Sequence, residues 1–133
     1  MRRAAVLSVL LLAGCGTKAL NHDVAGFTQS GKTPTQRAIL RTIATYRMSN
    51  DEALACGLIT RHFLDTSRFD GKVRNCEQVL RAADNHLPDS ATVQSVTGAT
   101  ARVFVDEPTA TKSIYVMRRE GSTWKIDDIV EPK

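Results

Sequence analysis

The spacing of apolar residues predicts helices in the middle of the chain. Apolar side chains recur there every three or four positions, as on one face of an amphipathic helix. The first helix is predicted to begin at Thr33-Pro34, since threonine is a favoured N-cap and proline a favoured first residue. Capping residues also precede a second helix at residues 49–52 and a third at Asn75. The run 53–59 is apolar nearly all round, so we expect the second helix to be buried.

After Pro88 the apolar residues alternate with polar ones, which is the period of β-strands. Four strands are predicted, over residues 91–97, 100–105, 111–119 and 123–130. Their short connections make successive strands antiparallel. The pattern therefore predicts an α+β domain in which three N-terminal helices pack on one face of a curved four-stranded antiparallel sheet.

The register of the last hairpin has two alternatives. A two-residue loop at Glu120-Gly121 places Met117 opposite Trp124, whereas a three-residue loop places Val116 opposite Ile126. The sequence does not decide between them.

The N-terminus has the pattern of an export signal. Two basic residues, Arg2-Arg3, precede the mostly apolar run 4–12, which is shorter than the roughly 20 residues that a membrane-spanning helix needs. The run ends in Leu12-Ala13-Gly14-Cys15, which resembles the lipobox of bacterial lipoprotein signal peptides. The resemblance implies cleavage before Cys15 and lipid on its sulfur, which would anchor the protein at the extracytoplasmic face of the cell membrane. The alternative is an ordinary secretory signal with a cysteine there by chance.

This interpretation divides the chain into three parts: a signal peptide over 1–14, a lipidated N-terminus and flexible tether over 15–32, and one folded domain over 33–133. The formal charge of +4 falls to +2 in the mature chain because Arg2 and Arg3 leave with the signal peptide. No cluster of basic residues with interleaved aromatics appears, so we do not expect nucleic-acid binding.

Cleavage and lipidation also leave an even pair of cysteines, Cys56 and Cys76, in an oxidising compartment. We predict a disulfide between them that joins the second helix to the third and stabilises the fold by about 3 kcal/mol. The alternative is two buried free thiols. Two cysteines without a histidine at ligand spacing do not predict a metal site.

The cysteine-bearing helices and the end of the sheet resemble a known group. Residues 56–60 (Cys-Gly-Leu-Ile-Thr), 76–80 (Cys-Glu-Gln-Val-Leu) and 121–126 (Gly-Ser-Thr-Trp-Lys-Ile) are similar to those of small extracytoplasmic proteins of the nuclear transport factor two-like superfamily, especially actinobacterial lipoproteins. The resemblance covers about residues 33–130. It implies a cone in which a curved antiparallel sheet wraps a long helix, with a pocket at the wide end.

That superfamily contains isomerases, cyclases and many non-catalytic members, so the fold alone transfers no activity. The catalytic members use an aspartate or histidine base, often with a tyrosine donor, inside the cone. The candidates here are Tyr46, His62 and Asp65. We interpret Tyr46 as a core residue with its hydroxyl at the rim, and His62 and Asp65 as a solvated pair near a helix end.

Other polar positions receive structural interpretations. Asp106-Glu107-Pro108 is predicted to be a turn and Asp127-Asp128 to face water, while His86 has no partner at a telling distance. Trp124 is predicted to lie in the core. Motifs for phosphate loops, serine nucleophiles and zinc helices are absent from the sequence, and we expect no cofactor.

The sequence therefore favours a non-catalytic, lipid-anchored domain that binds a small apolar ligand or an envelope protein partner, as a monomer or homodimer. Two alternatives stay open: an isomerase-like or cyclase-like enzyme, and an accessory subunit of an envelope transport machine.

Overall fold

The structure is a computed structural model, and it describes residues 24–66, 76, 86–107 and 112–133. Its helices are α1 (Pro34–Met48), α2 (Glu52–Cys56) and α3 (Arg61–Thr66), and residues 24–29 are also helical. Its strands are β1 (Ser90–Thr97), β2 (Thr100–Asp106), β3 (Ser113–Glu120) and β4 (Thr123–Val130). The strands form one sheet in the order β1-β2-β3-β4, with every neighbouring pair antiparallel. The α+β class and the four antiparallel strands are confirmed.

Helix α1 begins where its capping residues predict. The Thr33 hydroxyl accepts a hydrogen bond from the Gln36 amide at 3.1 Å, and Pro34 is the first helical residue. The Gln36 side chain accepts from the Lys32 amide at 2.9 Å. The first bond uses one of the backbone donors that a helix start would otherwise leave unpaired.

The helical residues 24–29 lie within the stretch predicted to be a tether. Phe27 packs against the core and Thr28 is buried. The packed domain therefore begins before Thr33. The rest of the predicted tether, over 15–23, lies outside the described residues.

The predicted second helix is divided, and the prediction that it is buried on all sides is wrong. Helix α2 ends at Cys56, a turn follows, and Ile59 forms a parallel bridge with Ile126 of β4. Leu54 is 51% exposed, whereas Ala55 is buried. The apolar run 53–59 therefore does not belong to one fully buried helix. Its last residue, Ile59, is apolar because it lies against the sheet.

Cys56 and Cys76 lie at disulfide distance, with 5.6 Å between their Cα atoms, as predicted. Cys76 is helical and packs against the core. The other residues of the predicted third helix lie outside the described residues.

The last hairpin follows neither predicted register. Its two-residue loop is Gly121-Ser122, so that Arg119 pairs with Trp124 and Met117 with Ile126. Gly121 has a φ of 62°, which the first position of such loops requires and which glycine adopts without strain.

The core lies between α1 and one face of the sheet. Ile39, Leu40 and Ile43 of α1 are almost completely buried there. The sheet contributes Val103, Val105, Tyr115, Met117, Trp124 and Ile126. Trp124 is a core residue, as predicted, and its backbone carbonyl accepts a hydrogen bond from the buried Thr42 hydroxyl at 2.9 Å. Apolar burial and this bond together fix α1 on the sheet.

Candidate functional site

An open groove of about 690 Å³ lies along the first half of β1. Residues 26–27 and 30–32 line one side of it and residues 87–93 line another, with Gln36 and Leu40 of α1. A volume of this size falls within the range of small-molecule binding sites. The groove is therefore large enough to hold a ligand or a short peptide.

The groove combines apolar and polar side chains. Its apolar residues are Phe27, Leu40, Leu87, Pro88, Ala91 and Val93. Its charged residues are Lys32 and Asp89, both exposed. One cation and one anion leave the groove without net charge, so it favours a neutral, largely apolar occupant.

The groove meets the edge of β1. Four successive strand residues, 90–93, line it, and successive side chains of a strand point to opposite faces. The groove therefore borders the backbone edge and not one face of the strand. Within the described sheet, β1 has β2 as its single neighbour, so one row of its backbone N–H and C=O groups lies outside the sheet ladder.

Arg47, in the last turn of α1, binds the segment that leads into the groove residues 87–93. Its Nε donates to the His86 carbonyl at 3.2 Å. Its Nη1 and Nη2 donate to the two Glu107 carboxylate oxygens at 2.5 and 3.0 Å, and Nη1 also donates to the Tyr115 hydroxyl at 3.0 Å. Its Nη2 lies 3.4 Å from His86 Nε2. Each of the three guanidinium nitrogens thus donates to at least one partner.

Burial and charge perturb the groups of this cluster. Burial opposes the charge of Arg47, but the hydrogen bond with Glu107 and the neighbouring Tyr115 raise its pKa above the usual value, so it stays charged. Burial raises the pKa of Tyr115, although Arg47 opposes the change. Burial raises the pKa of Tyr46 to about 12, with a further contribution from Tyr115. Both phenols are therefore neutral at ordinary pH.

The structure does not bring the sequence-predicted catalytic candidates together. Tyr46 is buried, as interpreted from the sequence, whereas His62 and Asp65 are exposed side chains of α3. Asp65 forms an ion pair with Arg61 at 3.2 Å. Cys15 lies outside the described residues.

Sequence reasoning missed Arg47 and Glu107. The sequence pattern places Glu107 only in a turn, and an arginine near the end of a helix, as Arg47 is, most often lies on the surface. One signal was available. Arg47 follows Leu40 and Ala44 at the spacing of the buried face, and an arginine there requires a buried anion.

Comparisons with protein-family models, curated proteins and solved structures find no match to this chain. Among the described residues, no helix has the length and apolarity to cross a membrane, and no group of three histidine, cysteine, aspartate or glutamate side chains is arranged to hold a metal ion.

Proposed function

We propose that this chain is a lipid-anchored, extracytoplasmic binding protein that holds its ligand in the groove along β1. The observation that carries the proposal is the groove itself, with about 690 Å³ of space beside a strand edge that no described strand covers. The lipobox-like residues 12–15 support the location.

We further propose that the domain belongs to the nuclear transport factor two-like superfamily. A helix buried along one face of a four-stranded antiparallel sheet, as α1 is, agrees with the arrangement that the sequence resemblance implies. The cone and its wide-end pocket are part of this proposal.

The arrangement of ionisable groups favours binding over catalysis. A general acid or base needs a free position from which it can reach a substrate. Each guanidinium nitrogen of Arg47 donates within the protein, and His62 and Asp65 are not among the groove residues. The ionisable side chains that line the groove, Lys32 and Asp89, are exposed surface charges. The groove offers its ligand apolar contact and backbone hydrogen bonds instead.

The anchor is tested by Cys15→Ser in the native bacterium. We expect the variant to leave the membrane fraction, because the sulfur that would carry the lipid is missing. Wild-type protein in the same fractionation is the control. A variant that stays with the membranes would contradict the anchor.

The groove is tested with a photo-crosslinking amino acid in place of Thr92. The matched control replaces Thr123, which is likewise an exposed threonine but lies on the opposite edge strand. After irradiation of living cells, intact-protein mass spectrometry should show an adduct from position 92 and none from position 123. Equal adducts at the two positions, or none at either, would contradict binding in the groove.

A further inference from the structure

We infer that the ligand of the groove is an extended, uncharged peptide segment of a partner protein, which pairs with the backbone of β1 over residues 90–93. This inference rests on the proposed function, and it names the kind of partner. Recognition of this kind adds a strand to an open sheet edge, where backbone hydrogen bonds supply affinity and side-chain contacts supply specificity.

Within the described part of the chain, the edge of β1 lacks most of the devices that prevent strand addition. Proteins protect exposed edges with charged side chains, proline, bulges or a covering segment. The sequence Ser-Ala-Thr-Val-Gln-Ser-Val-Thr of β1 has no charge and no proline. An uncharged segment can therefore pair with it without burying an unmatched charge.

One protective device is present, and its position agrees with the inference. The register of β1 against β2 shifts between Val93 and Ser95, which is a β-bulge. Bulges interrupt pairing along a strand. The bulge divides β1 into two regularly paired stretches, 90–93 and 95–97, and the first of them lines the groove.

The opposite edge shows that this sheet accepts a short extended segment. There the Thr60 amide donates to the Ile126 carbonyl at 3.0 Å, and the Ile126 amide donates to the Leu58 carbonyl at 2.8 Å. Three residues of the chain, 58–60, therefore extend the sheet beside β4 with two hydrogen bonds. The first two of them, Leu58 and Ile59, are apolar and uncharged.

Side chains of an added strand would have apolar contacts on the facing side of the groove. Phe27 is half-buried and reaches the groove together with Leu40 and Leu87. Alternate residues of an extended peptide point to the same side, so one of every two would meet this surface. The charges of Lys32 and Asp89 balance, which agrees with an uncharged segment.

The test titrates two synthetic peptides into the purified lipoprotein in detergent. Both are acetylated and amidated Thr-Val-Thr-Val-Thr, and one is methylated at every peptide nitrogen, so that its peptide groups cannot donate hydrogen bonds to a neighbouring strand. Binding at millimolar concentration is followed through the backbone amide resonances of residues 90–93. We expect the unmethylated peptide to shift them and the methylated one to bind about tenfold more weakly or not at all.

Phe27→Ala should weaken binding of the unmethylated peptide, whereas Leu54→Ala, at an exposed apolar residue outside the groove, should not.

Equal binding of the two peptides would overturn strand pairing and leave an apolar groove. No binding of either, with an adduct from position 92, would overturn the peptide inference while the proposed function stands. No binding and no adduct would overturn both. Concentration-dependent shifts of residues 90–93 without peptide would identify a second copy as the occupant and also overturn the inference.

Discussion

The β4 edge of the sheet is covered by the chain itself, whereas the β1 edge borders a groove. Segment 58–60 pairs with β4, and the Thr60 hydroxyl donates to Asp127 at 2.7 Å. Asp127 is thus a half-buried acceptor, and the prediction that it faces water is wrong. Along β1 the described residues provide no such cover.

This difference shows that the two edges are stabilised by different interactions. The β4 edge is stabilised by two backbone hydrogen bonds to segment 58–60 and by the Thr60 hydroxyl. The wall beside β1 depends on a buried charge, since Arg47 links α1 to His86, Glu107 and Tyr115.

The largest predicted effect is from Arg47→Met, which should reduce the free energy of unfolding by about 3–5 kcal/mol because Glu107 would stay buried without its cation. Urea unfolding measures it. Arg61→Met is the control, since its ion pair with Asp65 is exposed and should contribute at most about 1 kcal/mol. The double variant Arg47→Met/Glu107→Leu should recover most of the loss. A loss below that of the control would show that the buried cluster does not stabilise the fold.

The next effect concerns the disulfide, which fixes the end of α2 just before segment 58–60. Cys56→Ser/Cys76→Ser should cost about 3 kcal/mol, because the unfolded chain gains freedom when the cross-link is removed. Wild-type protein under reductant should lose a similar amount in the same unfolding experiment. Alkylation of both thiols without reductant would contradict the bond.

Local sequence signals predicted much of the fold. The cap at Thr33 and the four strands depend on residue types that act within a few positions. The cysteine pair follows from the number of cysteines left in the mature chain. The end of α2 has a local signal, because Gly57 follows Cys56 and glycine is common at helix C-termini. The bridge between Ile59 and Ile126 has no such signal, because Ile126 lies far along the chain.

The candidate site was harder to predict for the same reason. Arg47 and Glu107 are separated by 60 residues, and neither carries a motif. The groove likewise combines residues 26–32 with 87–93, which only the folded chain brings together. Hydrophobic periodicity identified the buried face of α1, but it does not identify the partner of a charge on that face.

The third prediction concerns alkaline pH and the tyrosines behind the open edge. In the unfolded chain Tyr46 loses its proton near pH 10, whereas burial raises its pKa to about 12 in the folded protein. Its contribution to stability is therefore complete below pH 10 and is lost as the pH rises from 10 to 12, by at most about 3 kcal/mol. Unfolding curves at several pH values should show a shallower decline for Tyr46→Phe than for the wild type. Identical pH slopes would contradict the raised pKa.

The smallest effect compares the two edges directly through one threonine on each. Thr60→Val removes the hydroxyl that donates to Asp127 and accepts from the Phe63 amide at the start of α3, and should cost about 1–2 kcal/mol. Thr92→Val, at the exposed β1 edge, should change stability by less than about 0.5 kcal/mol. Hydrogen exchange adds a local measurement, because the Ile126 amide is protected by the Leu58 carbonyl and should exchange faster in the Thr60 variant alone. If the two variants changed stability and exchange equally, segment 58–60 would not be what closes the β4 edge.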